Sequence, residues 1–287
     1  MKAADFIYHR VTNVAEALRY LEDYDGGARV LAGGQSLAPM LNMRLWRPAA
    51  LIDINALSEL AVLAPDGEET RVGALVRYAT LERAPVAAQR LPLLAKMVRF
   101  IGDRQVRNRG TIGGALVQGD PTGEMPLGCL VLGAKITVTS ASGPRVIAIE
   151  DFYEGAYAAA LSPDELLTEI RFPKHPPHFA FRELCRRHND FAVLSVAATG
   201  AVLADGTWSR IRIGFGGVND TSVLALESMA LLEGSQLTDA EITAAGETAL
   251  TAIDPPSDIR GSAEYRAHLV PHYLTKVLQD LRTSAQA

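Results

Sequence analysis

Apolar residues recur at two different spacings along the first half of the chain. Between residues 13 and 25 they fall three or four positions apart, which places them on one face of a predicted helix. These positions are Val14, Ala17, Leu18 and Leu21. Shorter apolar runs predict strands at 28–31, 51–54 and 70–73, and the longer spacing returns in helices predicted at 80–84 and 86–101. The N-terminal half is therefore predicted to combine short strands with helices.

A proline-rich segment separates this pattern from a second one. Before it, the alternation predicts a hairpin from 134–140 and 145–149 and a strand at 166–172. Pro173, Pro176 and Pro177 lie close together, so a domain boundary is predicted there, with domains at 1–176 and 177–287. After it, strands predicted at 179–187, 193–203 and 208–215 precede helices predicted at 223–233, 238–252 and 262–283. A sheet followed by helices is an α+β order, and α+β is the predicted fold class.

The composition indicates a folded protein whose main partner is not a nucleic acid. Of the 287 residues 48% are hydrophobic, which allows a substantial core, and the net charge is −5. The chain has no basic run, and no apolar segment reaches the length of a membrane-spanning helix. The first residues lead into no apolar signal-peptide segment, so a cytoplasmic location is expected.

The cysteine count limits the redox chemistry of this chain. Cys129 and Cys185 are its two cysteines, and two thiols cannot hold an iron–sulfur cluster or a Cys-rich zinc site. The six histidines show no metal-ligand spacing. Redox metals are therefore expected on another chain.

Two glycine-rich stretches carry the candidate binding chemistry. The second stretch, residues 107–126, contains five glycines and two prolines, and the first is Ala32-Gly33-Gly34-Gln35-Ser36-Leu37. Each glycine costs about 0.5–1 kcal/mol relative to alanine inside a helix or strand. The second stretch is therefore predicted not to form an ordinary helix or strand. Both are expected to lay backbone, with exposed amide N–H groups, against a large anionic ligand.

The first stretch lies between a predicted strand and a short predicted helix, with Ser36 as the N-cap. This order of elements exposes amides and the positive end of a helix to a phosphate. The stretch matches neither the Rossmann nor the Walker motif. From these residues alone, a tight turn that binds nothing is an equal alternative.

The second stretch adds groups of both signs. Residues 111–115 are expected to offer successive amides, while Asp120 and Glu124 offer acceptors for hydroxyls or an amine. Arg104, Arg107 and Arg109 precede them, and a solvated cluster would explain these arginines equally well. Amides and hydroxyls beside carboxylates suit a pyrophosphate that is joined to ribose and adenine.

Taken together, the two stretches resemble the FAD-binding medium subunit of molybdenum hydroxylases, the family of the carbon monoxide dehydrogenase and xanthine dehydrogenase flavoproteins. The resemblance rests on the first stretch, on Arg107-Asn108-Arg109-Gly110-Thr111-Ile112-Gly113-Gly114 and on Gly119-Asp120-Pro121. Asp190-Phe191-Ala192 and residues 257–266 resemble the C-terminal domain of that family. The similarity covers essentially the whole chain in the right order.

The resemblance implies a two-part α+β FAD-binding domain of the vanillyl-alcohol oxidase type, followed by a smaller α+β domain. It implies that residues 32–37 and 111–115 hold the pyrophosphate from two sides. Ile101 would line the pocket, Asp120 and Glu124 would make polar contacts, Leu167 and Arg182 would approach the flavin end, and Phe191 would lie near the isoalloxazine ring. The implied cofactor residues are Ala32, Gly33, Gly34, Gln35, Ser36, Leu37, Ile101, Thr111, Ile112, Gly113, Gly114, Ala115, Asp120, Glu124, Leu167, Arg182 and Phe191.

One position departs from the family pattern. The family usually has Asn directly after Thr-Ile-Gly-Gly, where this chain has Ala115. The backbone N–H is kept but an amide side chain is lost, and a hydrogen bond to a charged group is worth about 1.5–3 kcal/mol. If the family's contact to FAD is made by that amide, the change would affect the affinity for FAD rather than binding itself.

The resemblance implies that the chain carries FAD and transfers electrons, and that no side chain in it acts as a catalytic acid or base. Because neither glycine-rich stretch contains a histidine, FAD is expected to bind without a covalent link. An iron–sulfur small subunit would supply electrons from [2Fe–2S] centres, and a large subunit would hold the molybdopterin. A heterohexamer of two heterotrimers is expected. Two alternatives are a stand-alone flavin oxidase of the vanillyl-alcohol type and a non-enzymatic nucleotide-binding assembly module.

Overall fold

The computed structural model describes residues 2–286, and its first part is a small parallel sheet with two helices. The elements are β1 (Ile7–Arg10), α1 (Val14–Tyr24), β2 (Ala28–Leu31), α2 (Leu37–Asn42) and β3 (Ala50–Asp53). Strand β3 lies in the middle, and β1 and β2 both pair with it in parallel. Asn13 caps α1 by accepting the Glu16 N–H at 2.8 Å. The apolar face predicted for α1 is buried through Ala17, Leu18 and Leu21.

The second part combines six helices with a five-stranded antiparallel sheet of order β4-β5-β10-β6-β7. Its elements are β4 (Leu63–Asp66), β5 (Glu69–Gly73), α3 (Tyr78–Arg83), α4 (Pro85–Arg90), α5 (Pro92–Met97), α6 (Arg104–Arg109), α7 (Ile112–Gln118), α8 (Glu124–Leu132), β6 (Lys135–Ser140), β7 (Gly143–Ala148), β8 (Tyr153–Gly155), β9 (Ala158–Ala159) and β10 (Leu166–Phe172). Helix α8 is buried from Met125 to Leu132. It therefore forms the centre of the hydrophobic core of this part.

The C-terminal part is a four-stranded antiparallel sheet followed by helices. It contains β11 (His178–Cys185), β12 (Ala192–Val202), β13 (Trp208–Gly216), β14 (Val223–Leu224), α9 (Leu226–Leu232), α10 (Asp239–Thr248) and α11 (Ala263–Ser284), in the sheet order β11-β12-β13-β14. Helix α11 contacts β11 and β12, while α8 contacts β12 and β13. Because helices from both parts of the chain contact its sheet, β12 is buried at every position except Val202. The predicted α+β fold class is confirmed.

The helix predicted over 86–101 is divided in the structure. Helix α4 ends at Arg90, α5 begins at Pro92, and a 3₁₀ turn follows at Val98–Phe100. Leu91 between them has φ −137° and ψ 50°, outside the helical region. The residue before a proline is disfavoured in the α conformation, so Pro92 starts a new helix rather than continuing the old one.

The prediction that residues 107–126 form no ordinary helix is wrong. The stretch holds the end of α6, all of α7 and the beginning of α8. Two of its glycines allow close packing against other elements: a Cβ on Gly113 would lie 2.7 Å from the Ala74 Cβ, and one on Gly110 would lie 2.5 Å from the Tyr78 ring. Gly119 ends α7 with φ +61°. The close contacts that glycine permits offset its poor helix propensity.

No helix within residues 2–286 has the length and apolar character needed to cross a membrane.

Candidate functional site

The two glycine-rich stretches face a common cleft with a volume of about 770 Å³. It is bounded by the loop after β2, by α7 and the start of α8, and by the end of the loop before β12. Most of the residues proposed from the sequence line it: Ala32, Gly33, Gly34, Gln35, Ser36, Leu37, Ile101, Thr111, Gly113, Gly114, Ala115, Asp120, Glu124, Leu167 and Phe191. The fold therefore brings together residues that are far apart in the sequence.

The first stretch presents a run of backbone donors to this cleft. The N–H groups of residues 33–37 donate to no acceptor within the part of the chain that the structure describes. Gly34 turns the chain with φ +71°, and its carbonyl accepts the Ala38 N–H at 3.0 Å. Unpaired amides at the start of a helix need an acceptor from elsewhere. Five consecutive donors in a cleft suit a ligand with several anionic oxygens.

Ser36 does not act as the predicted helix cap. Its backbone is already helical, with φ −93° and ψ −45°, and its side chain makes no capping hydrogen bond. A capping side chain needs an extended backbone at its own residue to reach the following N–H groups. The hydroxyl is therefore left exposed beside the unpaired amides.

The second stretch does not offer the successive amides expected of it. The Ile112 N–H donates to the Val76 carbonyl and the Gly113 N–H to the Ala74 carbonyl. The N–H groups of Gly114 and Ala115 both donate to Thr111, to its hydroxyl and its carbonyl. At Gly114 the stretch supplies a surface without a side chain: a Cβ there would lie 2.8 Å from the Thr111 hydroxyl and, outside the backbone of α7, would have no other atom within 4 Å. The Ala115 N–H, which the sequence suggested was available, is used inside α7.

Two carboxyl groups lie at the end of the cleft formed by the start of α8. Asp120 accepts hydrogen bonds from the Thr122 N–H and hydroxyl, at 2.9 and 2.8 Å. Burial, together with the nearby Glu183 carboxylate and then Asp120, raises the pKa of Glu124 to about 8. Tyr78 and Cys185 also interact electrostatically with Glu124, so the groups around it are acidic. At neutral pH Glu124 is therefore protonated and is a hydrogen-bond donor, whereas the sequence suggested an acceptor.

Glu183 itself accepts hydrogen bonds from one thiol and one hydroxyl. The Cys185 thiol donates to one of its carboxylate oxygens at 2.7 Å, and the Ser195 hydroxyl donates to the other at 3.1 Å. Burial raises the pKa of Glu183 as well, although these two hydrogen bonds oppose the rise. Because hydrogen bonds stabilise the charged form, these two donors limit the rise in the pKa of Glu183 that burial causes.

The raised pKa of Glu124 predicts a pH-dependent stability. Its pKa is about 8 in the folded chain against an ordinary 4.5, so the folded state binds the proton more tightly. The stabilisation is complete below about pH 4.5 and is lost as the pH rises through 8. Since one pKa unit corresponds to about 1.4 kcal/mol, Glu124→Gln should remove about 2 kcal/mol of the fall in unfolding free energy between pH 6 and pH 8. Urea unfolding of the cofactor-free chain at the two pH values measures this difference.

Glu264→Gln is the matched control, because Glu264 is exposed at the first turn of α11. It should keep the pH dependence of the unmodified chain. If the unfolding free energy falls equally in both variants between pH 6 and pH 8, a group other than Glu124 causes the pH dependence.

Two residues proposed from the sequence do not reach the cleft. Arg182 on β11 forms an ion pair with Asp280 of α11, with nitrogen–oxygen distances of 2.7 and 3.0 Å. Its side chain points away from the face that carries Glu183 and Cys185. Ile112 is fully buried in the core behind the cleft. Neither side chain is therefore available for direct cofactor contact in this structure.

Phe191 stands at the mouth of the cleft. It is 54% exposed, and the Arg260 guanidinium lies 4.7 Å from its ring centroid. Leu167 and Ile101 are apolar residues deeper in the wall; Leu167 is nearly fully buried. The cleft thus has one end lined by acidic groups, apolar walls and a partly covered opening.

Sequence reasoning missed several lining residues. Arg29 lies over the Trp46 ring at 4.1 Å from the centroid, and both line the cleft beyond the first stretch. Tyr157 lines it opposite, with a left-handed backbone at φ +58°. These residues come from separate elements and form no local motif, so no pattern in the sequence indicated them.

Two family models match the chain in sequence. The FAD binding domain in molybdopterin dehydrogenase matches residues 3–175, and the CO dehydrogenase flavoprotein C-terminal domain matches residues 179–281. Together they span nearly the whole chain.

Two curated relatives match over nearly their full length. The chain is 36% identical over 280 residues to the 6-hydroxypseudooxynicotine dehydrogenase complex subunit alpha of Paenarthrobacter nicotinovorans, covering 97% of this chain and 95% of the relative. It is 33% identical over 288 residues to the carbon monoxide dehydrogenase medium chain of Afipia carboxidovorans, covering 100% of both.

Two solved structures share the fold over nearly the whole chain. Quinoline 2-oxidoreductase from Pseudomonas putida 86 superposes with a TM-score of 0.96 at 32% identity and full coverage of both chains. The carbon monoxide dehydrogenase from Hydrogenophaga pseudoflava gives a TM-score of 0.95 at 32% identity and 99% coverage of both.

Proposed function

Because the chain belongs to the FAD-binding medium subunits of the molybdenum hydroxylases, we propose that its cleft holds FAD and that it passes electrons from a partner's [2Fe–2S] centres to an external acceptor. The observation that carries the proposal is the run of unpaired N–H groups at residues 33–37 on the cleft wall. Such a run fits a pyrophosphate, since backbone N–H groups bind phosphate oxygens well.

Each wall of the cleft has a separate part in binding. Residues 33–37 donate to the pyrophosphate, and the bare surface at Gly114 lets it approach α7 closely. Protonated Glu124 donates a hydrogen bond to a polar group of the cofactor, and Asp120 accepts one. Ile101 and Leu167 cover apolar ring surface, and Phe191 limits access of water and oxidants at the mouth. Bound FAD supplies the redox chemistry, since a flavin accepts single electrons and gives up a pair.

The attachment of the cofactor is non-covalent in this proposal. Neither glycine-rich stretch contains a histidine or cysteine. Cys129 is fully buried in the core, and the Cys185 thiol is engaged with Glu183. The binding energy therefore comes from hydrogen bonds and burial alone.

The electron source lies on other chains in this proposal. Within residues 2–286 no group of three or more Cys, His, Asp or Glu side chains is arranged to hold a metal. Relatives are named as a complex subunit alpha and as medium chains. An iron–sulfur small subunit and a molybdopterin large subunit, in a heterohexamer of two heterotrimers in the cytoplasm, complete the path. Residues 1–176 form the FAD-binding domain and 177–287 the second domain of this subunit.

The chain purified alone tests this proposal directly. We expect it to bind one FAD per protomer, to release it on acid precipitation, and to oxidise no organic substrate until the partner subunits are added. Absorption spectra before and after precipitation give the stoichiometry and the mode of attachment, and dye reduction measures the activity.

Each rival function has its own signature in this experiment. Substrate turnover by the chain alone would favour a stand-alone flavin oxidase of the vanillyl-alcohol type. Protein that shows no flavin bands after incubation with excess FAD would favour a non-enzymatic assembly module. Flavin that stays with the precipitate would contradict the non-covalent attachment.

A further inference from the structure

Asn55 lies behind the first glycine-rich stretch and holds its backbone. The Asn55 side-chain NH₂ donates to the Ala32 carbonyl at 2.8 Å and to the Leu31 carbonyl at 3.3 Å. Its own N–H donates to Asp53 at 2.9 Å, which fixes Asn55 at the end of β3. Asn55 does not line the cleft, so any effect it has on a ligand passes through the stretch.

The hydrogen bond to Ala32 sets the direction of the next amide. The Ala32 carbonyl and the Gly33 N–H belong to one planar peptide, which is trans because no described peptide is cis. In a trans peptide the C=O and N–H point in opposite directions. Holding the carbonyl on Asn55 therefore turns the Gly33 N–H toward the opposite side, where the unpaired amides of the cleft begin.

Arg77 connects Asn55 to the second stretch. The Arg77 guanidinium donates to the Asn55 side-chain oxygen through one nitrogen and to the Arg109 carbonyl through the other. The backbone beside it brackets the same stretch: the Tyr78 N–H donates to the Gly110 carbonyl, and the Ile112 N–H donates to the Val76 carbonyl, both at 3.1 Å. Arg77 is likewise absent from the cleft wall.

The two stretches also touch directly at this point. A Cβ on Gly33 would lie 2.3 Å from the Arg109 carbonyl oxygen. The chain of contacts Ala32–Asn55–Arg77–Arg109 thus closes a ring around the place where the stretches meet. A guanidinium suits this place because its planar fork serves two acceptors in fixed directions.

We infer that Asn55 and Arg77 are positioning residues that hold the two glycine-rich stretches in the spacing at which the Gly33 N–H and the amides after it face a dinucleotide pyrophosphate. The inference rests on the proposed function of the cleft. It assigns to both residues a role in cofactor affinity without contact to the cofactor.

The test is FAD binding by the full chain carrying Asn55→Ala, Arg77→Met, or both. Each single variant should raise the FAD dissociation constant by about tenfold or more, the size expected when hydrogen bonds to a charged group are misdirected. ADP keeps the pyrophosphate and lacks the flavin, so its inhibition constant, measured by competition with FAD, should rise by the same factor. The two residues are serial links in one connection, so the double variant should bind FAD no more weakly than the weaker single variant.

Arg77→Lys and Arg171→Met complete the set. A lysine can serve one of the two acceptors, so Arg77→Lys should restore part of the affinity. Arg171 forms ion pairs with Asp66, Glu69 and Glu169 outside the cleft, and its loss should leave FAD and ADP binding unchanged.

If the unmodified chain binds FAD, three results would contradict the inference without contradicting the proposed function. The first is an FAD dissociation constant within twofold of the unmodified chain in the single variants, and the second is a double variant in which the two losses of affinity multiply. The third is a variant that binds FAD more weakly but binds ADP as the unmodified chain does. An unmodified chain that binds neither FAD nor ADP would overturn the proposed function and this inference with it.

Discussion

Gly33→Ala is expected to abolish useful FAD binding. The new Cβ would lie 2.3 Å from the Arg109 carbonyl oxygen and 2.9 Å from the Gly110 Cα. Both are main-chain atoms that cannot rotate away, so the two glycine-rich stretches must separate. Misdirecting two backbone amides that bind an anion weakens binding by about 1.5–3 kcal/mol for each amide. The dissociation constant of FAD should therefore rise at least about a hundredfold. Titration of the cofactor-free chain with FAD, followed by flavin fluorescence, measures it.

Gly216→Ala is the matched control for this substitution. A Cβ there would make only ordinary contacts, the nearest at 3.6 Å, and Gly216 has no left-handed backbone. Both alanine variants should retain the circular dichroism of the unmodified chain, although overpacking at Gly33 is expected to cost about 1–3 kcal/mol of stability. FAD affinity within threefold of normal in Gly33→Ala would mean that the spacing of the two stretches does not govern binding.

The sequence predicted those parts of the site that depend on a local pattern of residues. The strand, glycine turn and helix at residues 28–42 follow from apolar runs and from glycines close together, and the structure has them as β2, the first stretch and α2. The resemblance to the flavoprotein family rests on the same local motifs. Family matches over residues 3–175 and 179–281 confirm it.

The availability of each amide could not be predicted, because it depends on partners far along the chain. The N–H groups of Ile112 and Gly113 donate to the Val76 and Ala74 carbonyls, which lie in the loop after β5, and so are not available to a ligand. Nothing in a glycine-rich motif states which of its donors the fold will use. For the same reason the motif could not indicate Asn55 and Arg77, whose importance comes from what they connect.

The position of Arg182 was predictable in part. Successive side chains on a strand point to opposite faces, so Arg182 lies on the face of β11 opposite to Glu183. There it pairs with Asp280 and does not face the cleft. The strand itself was predicted at 179–187 and found at His178–Cys185. Alternation along β11 separates the two faces of the strand but does not indicate which face is turned to the cleft, so the placement of Arg182 rested on the resemblance alone.

Arg266→Met is expected to lower the unfolding free energy by about 3 kcal/mol, the scale for breaking a buried charged network. Arg266 is 1% exposed, and one guanidinium nitrogen donates to the Val193 carbonyl at 2.6 Å and to the Gly217 carbonyl at 2.7 Å. The other donates to Asp258 at 2.6 Å. Methionine fills similar space but leaves two buried carbonyls and a carboxylate without these donors. Urea unfolding at neutral pH measures the change.

Arg260→Met separates this effect from the loss of a surface cation. Arg260 also pairs with Asp258, at 3.4 Å, but its stabilising contact is the Phe191 ring, worth about 0.5–1 kcal/mol. Arg266→Lys should lose nearly as much stability as Arg266→Met, because an ammonium cannot reach three acceptors in a fixed plane. The same network holds Val193 in β12, two positions after Phe191, so flavin reoxidation by oxygen should change in Arg266→Met as well. If the unfolding free energies of Arg266→Met and Arg260→Met agree within about 0.5 kcal/mol, the buried network contributes no more to stability than a surface charge does.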